Sequence, residues 1–106
     1  MEPKAAFELV KKNEAILIDV REEDELQESG IIECAIWMPL SKISENHADW
    51  KTLKASFTKD KQVLLYCRSG NRSGRVSEFL CCEGFCAVNV GGFASWAAAG
   101  IPVKKF

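Results

Sequence analysis

Apolar residues along the chain fall into two patterns that alternate with one another. Short, mostly apolar runs occur at residues 15–20, 35–38, 63–66 and 85–90, and such runs are typical of strands buried in a sheet. The run over residues 63–66 is unbroken, which indicates a strand buried on both faces. Between the runs, apolar residues recur every three or four positions, which predicts helices. Strands that alternate with helices predict an α/β fold, in which a mostly parallel central sheet of about four to five strands lies between two helical layers.

Polar residues and prolines indicate where several predicted helices begin and end. Pro3 suits the first turn of a helix that runs to about residue 13. The acids at residues 22–25 favour the start of a second helix, because its dipole stabilises negative charge there, and Gly30 ends it. Ser41 and Asp49 have side chains that can cap two further helices.

A strand–loop–helix unit over residues 63–80 carries the candidate chemistry. Its strand ends at Tyr66, Cys67 opens a loop of about six residues, and helical spacing of apolar residues starts at Arg75. A turn with a glycine in the middle points successive backbone N–H groups inward to form an anion-binding nest, and the helix N-terminus adds partial positive charge. Because these dipoles favour the charged form of a thiol, we expect Cys67 to be a thiolate at neutral pH.

The positions of the arginines support an anion site. Arg68, Arg72 and Arg75 lie within eight residues just after the cysteine, whereas ten other positive charges in the chain are lysine. Arginine holds an oxyanion at fixed geometry better than lysine does, so we expect Arg68 and Arg72 to bind an anion. Arg75 fits a solvated helix surface equally well. The fourth arginine, Arg21, directly follows the predicted strand over residues 15–20, which has Asp19 near its end, and ligands of open α/β sheets bind at such strand ends.

Composition places the chain among ordinary globular proteins and excludes several function classes. Its 106 residues suit one domain over residues 1–106, with 47% apolar and 27% charged residues. A net charge of −1 argues against a nucleic-acid partner. No apolar run approaches the roughly 18–20 residues that span a bilayer, and no signal peptide is predicted at the N-terminus.

Cysteine usage favours free thiols in a reducing, cytoplasmic compartment. The five cysteines are an odd number without a C-x-x-C pair, so we expect neither a disulfide framework nor a metal site. His47 lies in a polar segment and is predicted to be a solvated loop residue. The four cysteines outside the loop are expected to be small buried or partly buried apolar residues: Cys34, Cys81, Cys82 and Cys86.

Four segments resemble the motifs of rhodanese-like sulfurtransferases in the order expected for that family. Cys67-Arg-Ser-Gly-Asn-Arg-Ser73 resembles the family's active-site loop, and Asp19-Val-Arg-Glu22 resembles its first-strand motif. Residues 30–40 resemble its Gly-His-Ile-x-Gly-Ala…Pro segment, and residues 91–103 resemble its closing motif. Together the segments cover nearly the whole chain, so the resemblance implies a single-domain rhodanese fold of three layers.

Two positions depart from the family pattern. Ile31 stands where the family usually has a histidine, and Cys34 stands where it has a glycine. Neither position lies in the loop motif, so we expect activity to be retained and local packing to change.

The resemblance also implies a reaction that uses no metal and no organic cofactor. A Cys67 thiolate would attack the outer sulfur of thiosulfate, release sulfite and form a persulfide, whose outer sulfur passes to cyanide or a thiol. From its place at a strand end, Asp19 is expected either to orient the loop by hydrogen bonding or to cap its strand, and Arg21 either to contact substrate or to pair with an acid. The residues expected to bind substrate follow the cysteine directly: Arg68, Ser69, Gly70, Asn71, Arg72 and Ser73.

Three alternatives to a small-molecule sulfurtransferase stay open from the sequence. The first is a persulfide carrier that relays sulfur to a protein acceptor, since its loop chemistry would be identical. The second is a cysteine-dependent phosphatase or arsenate reductase, although such loops resemble a pattern with five residues between cysteine and arginine, and only four stand between Cys67 and Arg72. The third is a binding module without catalysis, which typically lacks the cysteine. We expect no membrane partner.

Overall fold

This computed structural model describes residues 1–106 and contains six helices and six short strands, which alternate except where β3 follows β2 and α4 follows α3. None of the helices has the length and apolar character that a bilayer crossing needs. The elements, in chain order, are α1 (Pro3–Lys11), β1 (Ala15–Asp19), α2 (Glu23–Ser29), β2 (Ile31–Ile32), β3 (Ile36–Trp37), α3 (Leu40–Ser44), α4 (Ala48–Ala55), β4 (Gln62–Cys67), α5 (Asn71–Cys82), β5 (Ala87–Gly92), α6 (Phe93–Ala98) and β6 (Val103–Lys104).

The central sheet is parallel and has four strands in the order β3-β1-β4-β5, which confirms the predicted α/β fold. β1 and β4 pair over five residues each, from Ala15 opposite Gln62 to Asp19 opposite Tyr66. β2 and β6 form a separate antiparallel pair that was not predicted. Each has only two residues, too few to give a periodic signal in the sequence.

Alternate residues of the central strand β4 face opposite layers of the protein. Leu64 and Tyr66 pack with Trp96 of α6 in the core on one side. Leu65 and Cys67 pack in the other core, which α4 and α5 cover. Because side chains alternate along a strand, the last residue of β4 points its sulfur toward the start of α5.

The loop helix α5 begins earlier than its apolar spacing predicts. Its first residue is Asn71 rather than Arg75, and only residues 68–70 join it to β4. The first turn carries no apolar stripe, so periodicity could not reveal it. Gly70 precedes the helix with φ of 94°, a left-handed conformation that glycine adopts without strain. The short connection brings the N-terminus of α5 directly to Cys67.

Neither predicted cap residue caps a helix. Pro39 precedes α3, and the Ser41 hydroxyl instead donates to Glu22 at 2.8 Å. His47 is the cap of α4, because its Nδ1 accepts the backbone N–H of Asp49 at 3.0 Å. The prediction of His47 as a plain solvated loop residue is therefore wrong in role, although the side chain is well exposed.

Three of the four cysteines outside the loop are exposed, which corrects the prediction that all four are buried or partly buried. Cys81 and Cys82 lie on the outer surface of α5, and Cys86 precedes β5, whose first residue is Ala87 instead of the predicted residue 85. Cys34 is half-buried as expected, and burial raises the pKa of its thiol. All five thiols are free.

Candidate active site

The sulfur of Cys67 lies at the carboxyl end of the central strand, where two parallel neighbours and a helix N-terminus meet. The residue is fully buried. The backbone N–H of Gly70 donates to the sulfur at 3.0 Å, and the Ser73 hydroxyl oxygen lies 3.4 Å from it. A short strand-to-helix connection therefore presents a thiol to a set of hydrogen-bond donors.

The environment of the sulfur favours its charged form. Burial acts to raise the pKa of Cys67, but hydrogen bonds from the Ser73 hydroxyl and from the backbone N–H groups of Ser73, Gly70 and Ser69 outweigh it, so that the pKa lies below its ordinary value. The direction of this shift agrees with the thiolate expected from the sequence.

The sequence predicted that Arg72 binds an anion, but in the structure its guanidinium is already paired with the Glu25 carboxylate of α2. Nη1 donates to Oε1 at 2.5 Å and Nη2 to Oε2 at 2.8 Å. The pair is half-buried, and the hydrogen bond to Glu25 raises the pKa of Arg72 while the charge and hydrogen bonding of Cys67 raise it further. The positive charge of Arg72 therefore acts both on Glu25 and on the Cys67 sulfur.

The Glu25–Arg72 pair predicts a loss of stability in acid. The hydrogen bond from Arg72 lowers the pKa of Glu25 from 4.5 to about 2. A carboxyl with a lowered folded-state pKa stabilises the fold above its unfolded value and loses that contribution as pH falls toward 2, on the order of 2 kcal/mol here. Urea unfolding from pH 6 to pH 2 should show this loss in the native chain and a smaller one in Glu25→Gln. Equal losses in the two proteins would contradict it.

Asp19 and Arg21 form a buried ion pair beside the loop. Arg21 Nη2 lies 2.8 Å from Asp19 Oδ2, and the same nitrogen donates to the Gly30 carbonyl at 2.8 Å. The Arg21 guanidinium also lies 4.3 Å from the ring centroid of Phe93. Asp19 accepts hydrogen bonds from Arg21 rather than from the 67–73 loop, so it acts on the site through Arg21 and does not orient the loop directly.

A pocket of 330 Å³ opens next to the loop. Arg68 lines it from the loop and Phe93 and Ala94 from α6, while Arg21 and Glu28 complete it from the other side together with Glu25 and Ser29. Of the loop arginines, Arg68 is thus the one that faces open space beside the site. Arg75 is exposed on α5 and borders a different groove.

Gly92 explains how the loop can lie so close to the end of β5. A Cβ atom at Gly92 would lie 2.3 Å from the Arg68 carbonyl oxygen, too near for any side chain. Gly92, at the end of β5, therefore permits close backbone packing against the loop. Ser69 and Asn71 are exposed on the other side of the loop.

Two residues of the site were missed from the sequence. Glu25 belongs to a run of acids at residues 22–25, and only the fold shows which of them meets Arg72. Asn89 binds Ser73 at 2.7 Å and the Gly70 carbonyl at 2.8 Å. The one signal for Asn89 is a polar residue inside the apolar run of the last strand.

Comparison with known proteins decides the family. Residues 2–99 match the Rhodanese-like domain family. This chain belongs to the rhodanese-like family. The resemblance of its four sequence motifs to that family is thereby confirmed.

Several members of the family are similar over most of their length. The chain is 35% identical over 95 residues to the thiosulfate sulfurtransferase GlpE of Coxiella burnetii, covering 88% of this chain and 81% of that protein. It is 39% identical over 84 residues to the putative sulfurtransferase YtwF of Bacillus subtilis, covering 78% and 74%. Among solved structures, a rhodanese-related protein from Thermoplasma volcanium is similar with a TM-score of 0.78 and 32% identity, over 100% of this chain and 97% of that chain.

Proposed function

We propose that this rhodanese-family chain is a thiosulfate sulfurtransferase that works through a persulfide of Cys67. The observation that carries the proposal is the buried sulfur at the end of β4, which accepts the Gly70 N–H at 3.0 Å in a pocket-side loop. Relatives named as sulfurtransferases support the class of reaction. Donor and acceptor are small molecules, and the five free thiols support a reducing, cytoplasmic location.

In the first half-reaction the sulfur of Cys67 is the nucleophile. The thiolate pair attacks the outer sulfur of thiosulfate, a new S–S bond forms, and the old S–S bond breaks with its electron pair leaving on sulfite. No general base takes a proton in this step, because the loop donors already favour the ionised thiol. The enzyme is left as a Cys67 persulfide.

In the second half-reaction an acceptor such as cyanide or a thiolate attacks the outer sulfur. The Cys67–sulfur bond breaks and its electron pair returns to Cys67, which leaves as a thiolate. The N–H groups of Ser69, Gly70 and Ser73 stabilise this leaving group as they stabilise the resting thiolate, without reorganisation of water.

Donor binding falls mainly to Arg68. Arg72 has both terminal nitrogens on Glu25, whereas Arg68 lines the pocket beside the loop. We therefore assign the sulfonate oxygens of thiosulfate to Arg68, with the backbone of Ser69 and Gly70 and the side chain of Asn71 at the rim. Arg72 contributes charge near the sulfur, so Arg68 is the better position at which to alter donor affinity.

Steady-state kinetics with thiosulfate and cyanide test the proposal. We expect sulfite and thiocyanate as products, with the parallel double-reciprocal lines of a ping-pong mechanism. Arg68→Ala should raise KM for thiosulfate about tenfold, since a charge-assisted contact to the donor is lost. A chain that releases no sulfite but hydrolyses a generic aryl phosphate would instead be a phosphatase and would overturn the proposal.

A further inference from the structure

Asn89 ties together the three segments that surround the reactive sulfur. It lies near the carboxyl end of β5, and its Oδ1 accepts the Ser73 hydroxyl at 2.7 Å and the Gly91 backbone N–H at 3.1 Å. Its Nδ2 donates to the Gly70 carbonyl at 2.8 Å. A single side chain thus contacts the loop, the first turn of α5 and the last residues of its own strand β5.

The backbone around Asn89 fixes which way its amide points. The Gly91 N–H can only donate and the Gly70 carbonyl can only accept, so Oδ1 must lie on the Gly91 side and Nδ2 on the Gly70 side. A Cβ atom at Gly74, inside α5, would lie 3.2 Å from Nδ2. The absence of a side chain at Gly74 therefore leaves space for the Asn89 amide. Oδ1 therefore faces Ser73 as an acceptor only.

The Ser73 hydroxyl has one proton and two acceptors. Asn89 Oδ1 lies 2.7 Å from its oxygen and the Cys67 sulfur lies 3.4 Å from it. A hydroxyl donates one hydrogen bond at a time, so the two contacts compete. When Cys67 is a neutral thiol, the S–H can donate to Ser73 while Ser73 donates to Asn89. When the sulfur is anionic, a charge-assisted hydrogen bond favours the sulfur as acceptor.

We propose that Asn89 is a positioning residue for sulfur transfer. While the Cys67 sulfur is uncharged, Asn89 accepts the hydrogen bond of the Ser73 hydroxyl. When the sulfur is a thiolate, the hydroxyl rotates and donates this hydrogen bond to the sulfur instead. The inference rests on the proposed function, because it follows the charge through that reaction. In the persulfide the negative charge lies on the outer sulfur, and Ser73 turns back to Asn89. The hydroxyl therefore follows the charge without any proton leaving the site.

The other charged groups near the Cys67 sulfur are the same in the native chain and in variants of Asn89. Arg72 with its partner Glu25 from α2, Arg68 in the loop and the Asp19–Arg21 pair at the end of β1 are the charged groups beside the loop. The rest of α5 adds the exposed side chains of Arg75 and Glu78. β5 and α6 carry no titratable side chain. Substitutions at Asn89 thus act on the sulfur through Ser73, through the Gly70 carbonyl, or through a charge newly placed at Asn89.

A double-mutant cycle between Asn89 and Ser73 separates these routes. The chain is labelled with ¹³C at cysteine Cβ, the Cys67 signal is assigned with Cys67→Ser, and its titration is followed by NMR, which needs no substrate. Asn89→Asp accepts the Ser73 hydrogen bond more strongly, so the midpoint of the Cys67 titration should rise by about one pH unit. Asn89→Leu removes the competing acceptor, so the thiolate fraction should rise. Both changes should shrink in a Ser73→Ala background.

Two results would overturn the proposal. One is a change of the Cys67 titration that is equally large with Ser73 present and in the Ser73→Ala background, since lost loop packing or a through-space charge acts without the hydroxyl. The other is a change of the same sign for Asn89→Asp and Asn89→Leu. Asn89→Asp keeps the shape of the side chain. If Asn89→Leu does not fold, the double-mutant cycle is therefore measured with Asn89→Asp and Ser73→Ala only. Failure of the proposed reaction is a separate result, because it appears as absent sulfite release in the native chain.

Discussion

Replacing Cys67 with serine should abolish sulfur transfer: under the proposed mechanism we expect turnover of thiosulfate and cyanide to fall at least about a thousandfold. A serine hydroxyl keeps the shape of the side chain, but the loop donors cannot make it an anion at neutral pH, and it forms no persulfide. The measurement is the initial rate of thiocyanate formation. Thermal unfolding of the same variant checks that the fold is intact.

The chain offers a matched control for this substitution in its exposed cysteines. Cys82 lies on the outer surface of α5, away from the carboxyl end of the sheet, so Cys82→Ser should turn over at the native rate. Comparable turnover by Cys67→Ser and the native chain would contradict the assignment of Cys67 as nucleophile. A large loss in Cys82→Ser would show that the effect of serine is not specific to the loop.

Asp19→Ala should cost about 3–5 kcal/mol of unfolding free energy, because it removes one partner of a buried ion pair. Asp19 is fully buried and Arg21 is 3% exposed. Removing the carboxylate leaves the buried Arg21 guanidinium, which stacks near the Phe93 ring, without its ion-pair partner. The Gly30 carbonyl and the Ser29 hydroxyl, its remaining partners, carry no negative charge to balance it.

An exposed ion pair provides the comparison for Asp19→Ala. Asp49 lies 2.8 Å from Lys42 with 58% of its side chain exposed, so Asp49→Ala should change stability little at moderate salt. Urea unfolding of the three proteins gives the measurement, with Asp19→Asn as a second variant if Asp19→Ala does not fold. Similar midpoints for the Asp19 and Asp49 variants would contradict a structural role of the buried pair.

The sequence was sufficient for the parts of the fold that rest on local signals. The apolar runs of β1 and β4 predicted a buried parallel sheet because residues covered on both faces must be apolar throughout. The glycine in the 67–73 loop predicted backbone N–H groups aimed at Cys67, and the Gly70 N–H does donate to the sulfur. Chemistry that depends on adjacent residues was therefore accessible without coordinates.

Pairings between distant residues could not be predicted in the same way. Arg72 and Glu25 are separated by 47 positions, and a run of four acids offers no reason to choose Glu25 before the fold brings α2 to the loop. The exposure of Cys81 and Cys82 depends on which face of α5 meets the sheet. Ile31 is buried in β2, a strand that exists only through its pairing with β6. In each instance tertiary contact, rather than local preference, decides the outcome.

Intact-protein mass spectrometry after mixing with thiosulfate tests the central claim most directly. The proposed mechanism predicts a gain of about 32 Da, one sulfur atom, that is absent in Cys67→Ser and is lost when cyanide is added. A native chain that gains no mass while releasing no sulfite would contradict a Cys67 persulfide formed from thiosulfate. A gain that persists in Cys67→Ser would place the sulfur on another cysteine and contradict the mechanism equally.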